Sequence, residues 1–126
     1  QPQAAELARN MYQNATTYTS DLMNSYAWDT AITFIRKCTD KTNYANQTSL
    51  NTSLSQTGTT NDNPCNIFDM ASNVREWTTE TSSYSGNPCV DRGGCCYYSS
   101  IYTSNRDYDF TSYSSNYIGF RPLLYL

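Results

Sequence analysis

From Thr81 to Leu126 the chain contains no Lys, Glu, Gln, Met or Trp, although residues 1–80 hold fifteen of them (2, 3, 5, 3 and 2). At the earlier frequency the last third would hold about eight or nine. All five amino acids are encoded only by codons with a purine in the third position. Their absence, beside an excess of Tyr, Ser, Asp and Asn, is what results when Asn codons ending in a pyrimidine are randomised at their adenines. The whole chain has 126 residues, with 15% charged, 14% aromatic and twelve Tyr. Disordered chains are usually charged and poor in aromatics, so this one is expected to fold as one domain, residues 1–126, with a Tyr/Ser/Asn-rich low-complexity segment as the alternative for its last third. A chain of this length buries roughly two thirds of its unfolded surface in a single core.

Several functions are excluded at once. The chain has no His, so Ser-His-Asp hydrolysis, Cys-His catalysis and His-ligated zinc have no donor within it. Lys and Arg are scattered, and after Glu80 the three arginines Arg92, Arg106 and Arg121 are set against Asp91, Asp107 and Asp109. No electrostatic footprint for nucleic acid exists. No apolar run is long enough to span a membrane, and Gln1 opens no signal peptide, so an export signal would lie outside this chain. Cys38, Cys65, Cys89, Cys95 and Cys96 show no paired C-x-x-C spacing, which argues against a zinc ribbon or a thioredoxin-type motif. The odd count leaves at least one thiol free, and a bridge such as Cys65 to Cys89 would suit an exported protein.

Ala4, Leu7, Ala8 and Met11 fall on one helix face and predict a short helix from about Gln3 to Tyr12. Gln13 to Asn24 reads as a polar stretch. Trp28, Ala31, Ile32 and Ile35 repeat the helical spacing and predict a second helix from Tyr26 to Lys37, with Ser25 as N-cap. Thr39 to Asn63 is rich in turn formers and reads as a long surface loop. Asn66 to Glu80 has neither helical nor strand period, and is expected to be a compact loop pinned by a buried Trp77. After Gly93 and Gly94 comes the Tyr/Ser-rich tract. Ile118 to Leu126 reads as a closing strand weakened by Pro122.

Three separated blocks then carry a resemblance: Asn66-Ile-Phe-Asp-Met-Ala-Ser-Asn-Val-Arg-Glu-Trp-Thr78, Arg92-Gly-Gly94 and Ile118-Gly-Phe-Arg121. In this order they resemble the signature of the formylglycine-generating-enzyme (sulfatase-modifying factor) domain, a branch of the C-type lectin fold. The resemblance implies an α+β domain with two helices, a small twisted antiparallel sheet and long loops. The founding enzymes hold copper with two cysteines five residues apart, shortly before the terminal Gly-Phe-Arg. Counting back from that block, with Arg106 as internal anchor, those positions fall on Tyr98 and Thr103. Neither side chain binds copper(I) as a thiolate does, so the resemblance implies a chain that has lost the oxidase and needs no cofactor. Some enzymes of the family also carry a structural calcium on the loop matching Asp69 to Glu76. Here Asp69 and Glu76 would supply side-chain oxygens, with Ser72 standing where the family usually has Gly. Hydrogen bonding of Glu76 to the loop without an ion is the alternative.

Fold signature and compositional break together resemble the variable protein of a diversity-generating retroelement, the target whose C-terminal residues are hypervariable on a C-type lectin fold. That family includes phage receptor-binding proteins and bacterial surface proteins. The resemblance implies a location outside the cell, on a cell surface or phage virion, as the C-terminal part of a longer protein. It makes Arg92-Gly-Gly94 and Gly119-Phe-Arg121 scaffold and residues 95–117 a binding tract for a protein or glycan partner. The expected contact set is Cys95, Tyr97, Tyr98, Ile101, Tyr102, Asn105, Asp107, Tyr108, Asp109, Phe110, Tyr113, Asn116 and Tyr117, with Ile118 in the core. Tyr gives a large amphipathic contact area with few rotatable bonds. A structural decoration domain of a virion or cell surface is the alternative function. In the family the terminal strand pairs with strands before the first helix, and none is evident here. Ile118 to Leu126 is therefore expected to be covered by an upstream part of the polypeptide or by another subunit.

Overall fold

A computed structural model describes all 126 residues. The elements run α1 (Pro2–Asn10), β1 (Thr19–Leu22), α2 (Ser25–Cys38), β2 (Arg75–Thr81), β3 (Cys89–Arg92), β4 (Arg106–Asp109), β5 (Ile118–Phe120) and β6 (Pro122–Tyr125). This is a small α+β domain with two α-helices and two sheets. No helix is long and apolar enough to cross a membrane.

The helix α2 forms where the apolar spacing places it. Its cap lies one residue earlier than Ser25: the Asn24 side chain accepts from the Ala27 N–H at 2.8 Å. Trp28, Ile32 and Ile35 are buried against Met23, Tyr44, Met70 and Ala71 in one core cluster. In α1 only the alanines of the predicted stripe are buried, and Leu7 and Met11 stay exposed. The close approach of Ala4 and Ala8 to Leu22, Trp77 and Cys89 makes the second cluster.

Between the helices, Thr19–Leu22 is a strand that the polar composition concealed. Ser20 faces inward and donates to the Ala8 carbonyl at 2.7 Å, which satisfies its hydroxyl without an apolar neighbour. This strand pairs antiparallel with β6, Thr19 opposite Tyr125 and Leu22 opposite Pro122. The expected outside cover for the terminal strand is thereby corrected, since β6 finds a partner within the chain. Ile118 to Leu126 is also two strands and not one. At Arg121 the chain leaves the four-stranded sheet, ordered β4-β3-β2-β5, and enters the β1-β6 pair. Because β5 runs parallel to β2, the larger sheet is mixed, in contrast to the antiparallel sheet the resemblance implied.

Asn66–Glu80 is likewise not all loop. Its second half is β2, paired on both sides, and Arg75, Glu76, Trp77 and Thr78 are all buried. A strand covered on both faces has no alternation to read. Trp77 is the buried anchor expected of it, at 6% exposure. The loop between Thr39 and Asn63 lies on the surface except where Tyr44 and Asp62 turn inward. The Tyr44 hydroxyl donates to Asp62 at 2.7 Å, and Asp62 accepts from the Ala71 N–H at 2.7 Å. All five cysteines are free thiols, which leaves the suggested Cys65 to Cys89 bridge unformed.

Candidate functional site

The tract 95–117 begins where the backbone is most tightly confined. A Cβ on Gly94 would lie 1.9 Å from the Ala71 carbonyl oxygen, closer than any atom pair tolerates. Gly93 has φ +93° and passes against the Trp28 ring, a conformation and a clearance that favour glycine. Directly after this contact Cys95 and Cys96 point inward and are buried, with the Cys96 N–H donating to the Asn73 carbonyl at 3.0 Å. Cys95 is therefore corrected from contact residue to core residue, because the Gly94 contact with Ala71 sets the direction of the chain.

Beyond Cys96 the side chains turn out. Tyr97, Tyr98, Tyr102, Tyr108, Phe110 and Asn116 are exposed, and Ile101, Asn105, Asp107, Asp109, Tyr113 and Tyr117 are half-buried. None of the six tyrosines is buried. Tyr97 and Tyr117 pack ring to ring with centroids 3.9 Å apart, and Phe110 meets Tyr113 edge-on at 5.3 Å. Tyr113 and Ile118 also touch the Trp77 cluster, which accounts for their partial burial and agrees with the core assignment of Ile118.

The scaffold holds this tract largely by its main chain. Trp28 Nε1 donates to the Thr103 carbonyl at 3.1 Å, and Arg92 Nε to the Asn105 carbonyl at 3.0 Å. The Thr103 N–H donates to Gln47 and the Ser104 N–H to Ala45, at 2.9 and 3.0 Å. The Tyr117 carbonyl accepts from the Arg75 N–H at 2.9 Å. Side chains of the tract are also tied to the scaffold. Thr103 is buried, and Arg106 bridges Glu80 at 3.2 Å and Asp29 at 3.0 Å.

Two networks of charge lie under the tract. In one, Arg92 and Arg106 face Asp29 and Glu80, with Arg92 Nη2 2.6 Å from Asp29. In the other, Arg75 alone meets Asp91 at 3.4 Å, Asp107 in a direct hydrogen bond, and Asp109 at 4.0 Å. Burial pushes the Asp91 carboxyl up to about 7, with Arg75 opposing and Asp107 and Asp109 adding to the rise. Burial raises Asp109 as well, so the two carboxyls are placed to share a proton. This cluster was not singled out from the sequence as a unit. Its only signal there is charge at four positions, Arg75, Asp91, Asp107 and Asp109, that the fold sets on adjacent strands of one sheet.

The residues implied for metals do not fit them. Tyr98 is half-exposed, Thr103 is buried on the Gln47 carbonyl, and neither offers the soft sulfur donor that copper(I) takes. On the loop expected to hold calcium, Glu76 is engaged on both oxygens by Arg121 at 2.9 Å. Asp69 accepts from the Gly58 N–H at 3.1 Å and from the Thr60 hydroxyl. Both carboxylates are thus committed to protein donors, which does not fit a calcium shell built on this pair.

No curated protein and no solved structure matches the chain. A family model described as Sulfatase-modifying factor enzyme 1-like domain matches residues 4–124. The match takes in both helices, every block that carries the resemblance and the whole of the tyrosine tract. The chain belongs to the sulfatase-modifying factor enzyme 1-like domain family.

Proposed function

We propose that this chain is a binding module with a C-type lectin fold whose residues 97–117 form a variable recognition face, as in the variable proteins of diversity-generating retroelements. The observation that carries the reading is the division within the tract. Its aromatic side chains stand at the surface, and its backbone is held by Trp28, Arg75, Arg92, Ala45 and Gln47 from outside it. Such a face recognises through Tyr contacts and adaptable Ser and Asn hydrogen bonds. The compositional break at Thr81 supports the same reading, and a place on a cell or virion surface follows from it. No catalytic step is assigned to the chain, and neither copper nor calcium is needed for binding.

Sibling sequences from the same locus test the proposal. Differences concentrated at Tyr97, Tyr98, Tyr102, Asn105, Asp107, Tyr108, Asp109, Phe110, Tyr113, Asn116 and Tyr117, with Gly93, Gly94 and Arg121 constant, are the expected result. Differences spread evenly over the chain would overturn it.

A further inference from the structure

The two charge networks differ in balance. Arg92 and Arg106 meet two carboxylates, Asp29 and Glu80, and that group is neutral. Arg75 meets three carboxylates alone. Even with one proton shared between Asp91 and Asp109, a negative charge is left over. The Asp91 side chain has no exposure, and its partners are the Arg75 ion pair at 3.4 Å and the Asp109 carboxyl, with no N–H of the chain in hydrogen-bond geometry on either oxygen. Unmatched buried carboxylates are costly and call for a positive partner.

The surplus also opens outward. Asp107 is 49% exposed and Asp109 19%, while Arg75 beneath them is only 8% exposed. Arg106, from the same strand as Asp107, is turned to Glu80 and Asp29 and does not offset the patch. Tyr117, stacked with Tyr97, takes the Arg75 N–H on its carbonyl, and Phe110 follows Asp109 directly with Tyr113 edge-on to it. Carboxylates open to solvent over a buried one are the surroundings that a guanidinium or ammonium group seeks, through charge-assisted hydrogen bonds.

We infer that the patch of Asp107 and Asp109 over Asp91 seats an arginine or lysine side chain of a protein partner. The inference rests on the binding-face reading and narrows it from a protein or glycan to a protein with a basic side chain at the contact.

The test titrates the isotope-labelled domain with acetyl-Gly-Arg-Gly-amide and with its citrulline twin, which keeps the shape and lacks the charge. The arginine peptide is expected to move the amide signals of Arg106 to Asp109 and the Arg75 side-chain signal, and to lose this effect as salt rises. Asp107→Asn should weaken the response roughly tenfold, as expected for loss of a charge-assisted bond. Asp40→Asn, an exposed acid elsewhere on the surface, should leave the response unchanged. A thermal melt checks that each variant is folded. Equal shifts from both peptides, or none from either at about 10 mM, would overturn the inference. Shifts at Tyr97, Tyr98 or Tyr102 from methyl glycosides, with none from the arginine peptide, would overturn it too and leave the binding face standing. Sibling sequences with no concentration of differences in the tract would remove the broader reading separately.

Discussion

Asp62 to Gly94 holds the central strands β2 and β3 and Cys96 to Tyr117 only β4, and beyond those ladders the two are held in different ways. The first is fixed through side chains: Asp62 binds Tyr44 and Ala71, Arg92 binds Asp29, Trp77 fills a core, and Gly94 fits against Ala71 because it has no side chain. The second is fixed mainly through carbonyls and amides, with Thr103, Arg106, Asp107 and Tyr113 as side chains that also engage the scaffold. Every residue type except Pro has the same backbone groups. A segment secured in this way keeps its path when its side chains change, whereas the segment before it loses an interaction with each replacement.

The largest departure should come from Gly94→Ala. A methyl group 1.9 Å from the Ala71 oxygen forces two backbones apart, and the variant is expected to show no cooperative thermal transition. A melt close to that of the parent would mean that the two segments differ less than stated. Trp77→Ala comes next, at about 3 to 5 kcal/mol, read from denaturant midpoints. Arg92→Met sharpens the comparison, because it removes both a buried ion-pair partner and the donor to the Asn105 carbonyl. A loss of about 3 kcal/mol with weaker amide protection at Ser104 to Arg106 is expected.

Asp91 gives a smaller effect with a definite sign. Its folded carboxyl is pushed up to about 7, above the ordinary 3.8. Between those values the folded state holds a proton that the unfolded state has released. The contribution of Asp91 to stability is therefore present in full near pH 4 and is lost as pH rises through about 7. Asp91→Asn should flatten stability across that window, as measured by urea midpoints, and an unchanged slope would place the charge elsewhere. The smallest effect belongs to the tract. Tyr98→Ser and Tyr102→Ser should each shift stability by no more than about 0.5 kcal/mol. A loss of several kcal/mol at either would show that these rings are structural.

The same division explains which parts were legible in the sequence. The helix α2 was, because Trp28, Ile32 and Ile35 bury one stripe and the opposite face is wet. The tyrosines of the tract also lie outside the core, as their number in a weakly charged segment suggests. By contrast β2 hides Arg75, Glu76 and Thr78, whose burial depends on partners 30 or more residues away or on a neighbouring strand. In β1 a single inward Leu22 carries the apolar signal, and the buried Ser20 reads as surface until Ala8 is set beside it. Cys95 looked available for contact because the close approach of Gly94 just before it is to Ala71, more than twenty residues earlier.

The strands that follow the tract pair with strands that precede it: β5 with β2, and β6 with β1 near the other end of the chain. Arg121, between them, closes onto Glu76 and the Phe68 carbonyl. These pairings tie the end of the chain to its beginning, the kind of long-range contact that slows folding. A copy whose tract carried a stop or a shifted reading frame would lack both strands and Arg121, leaving β1 without its partner and β2 with an open edge. Such a chain is expected to lose its cooperative fold, so an intact ending is a condition for the segments that precede it.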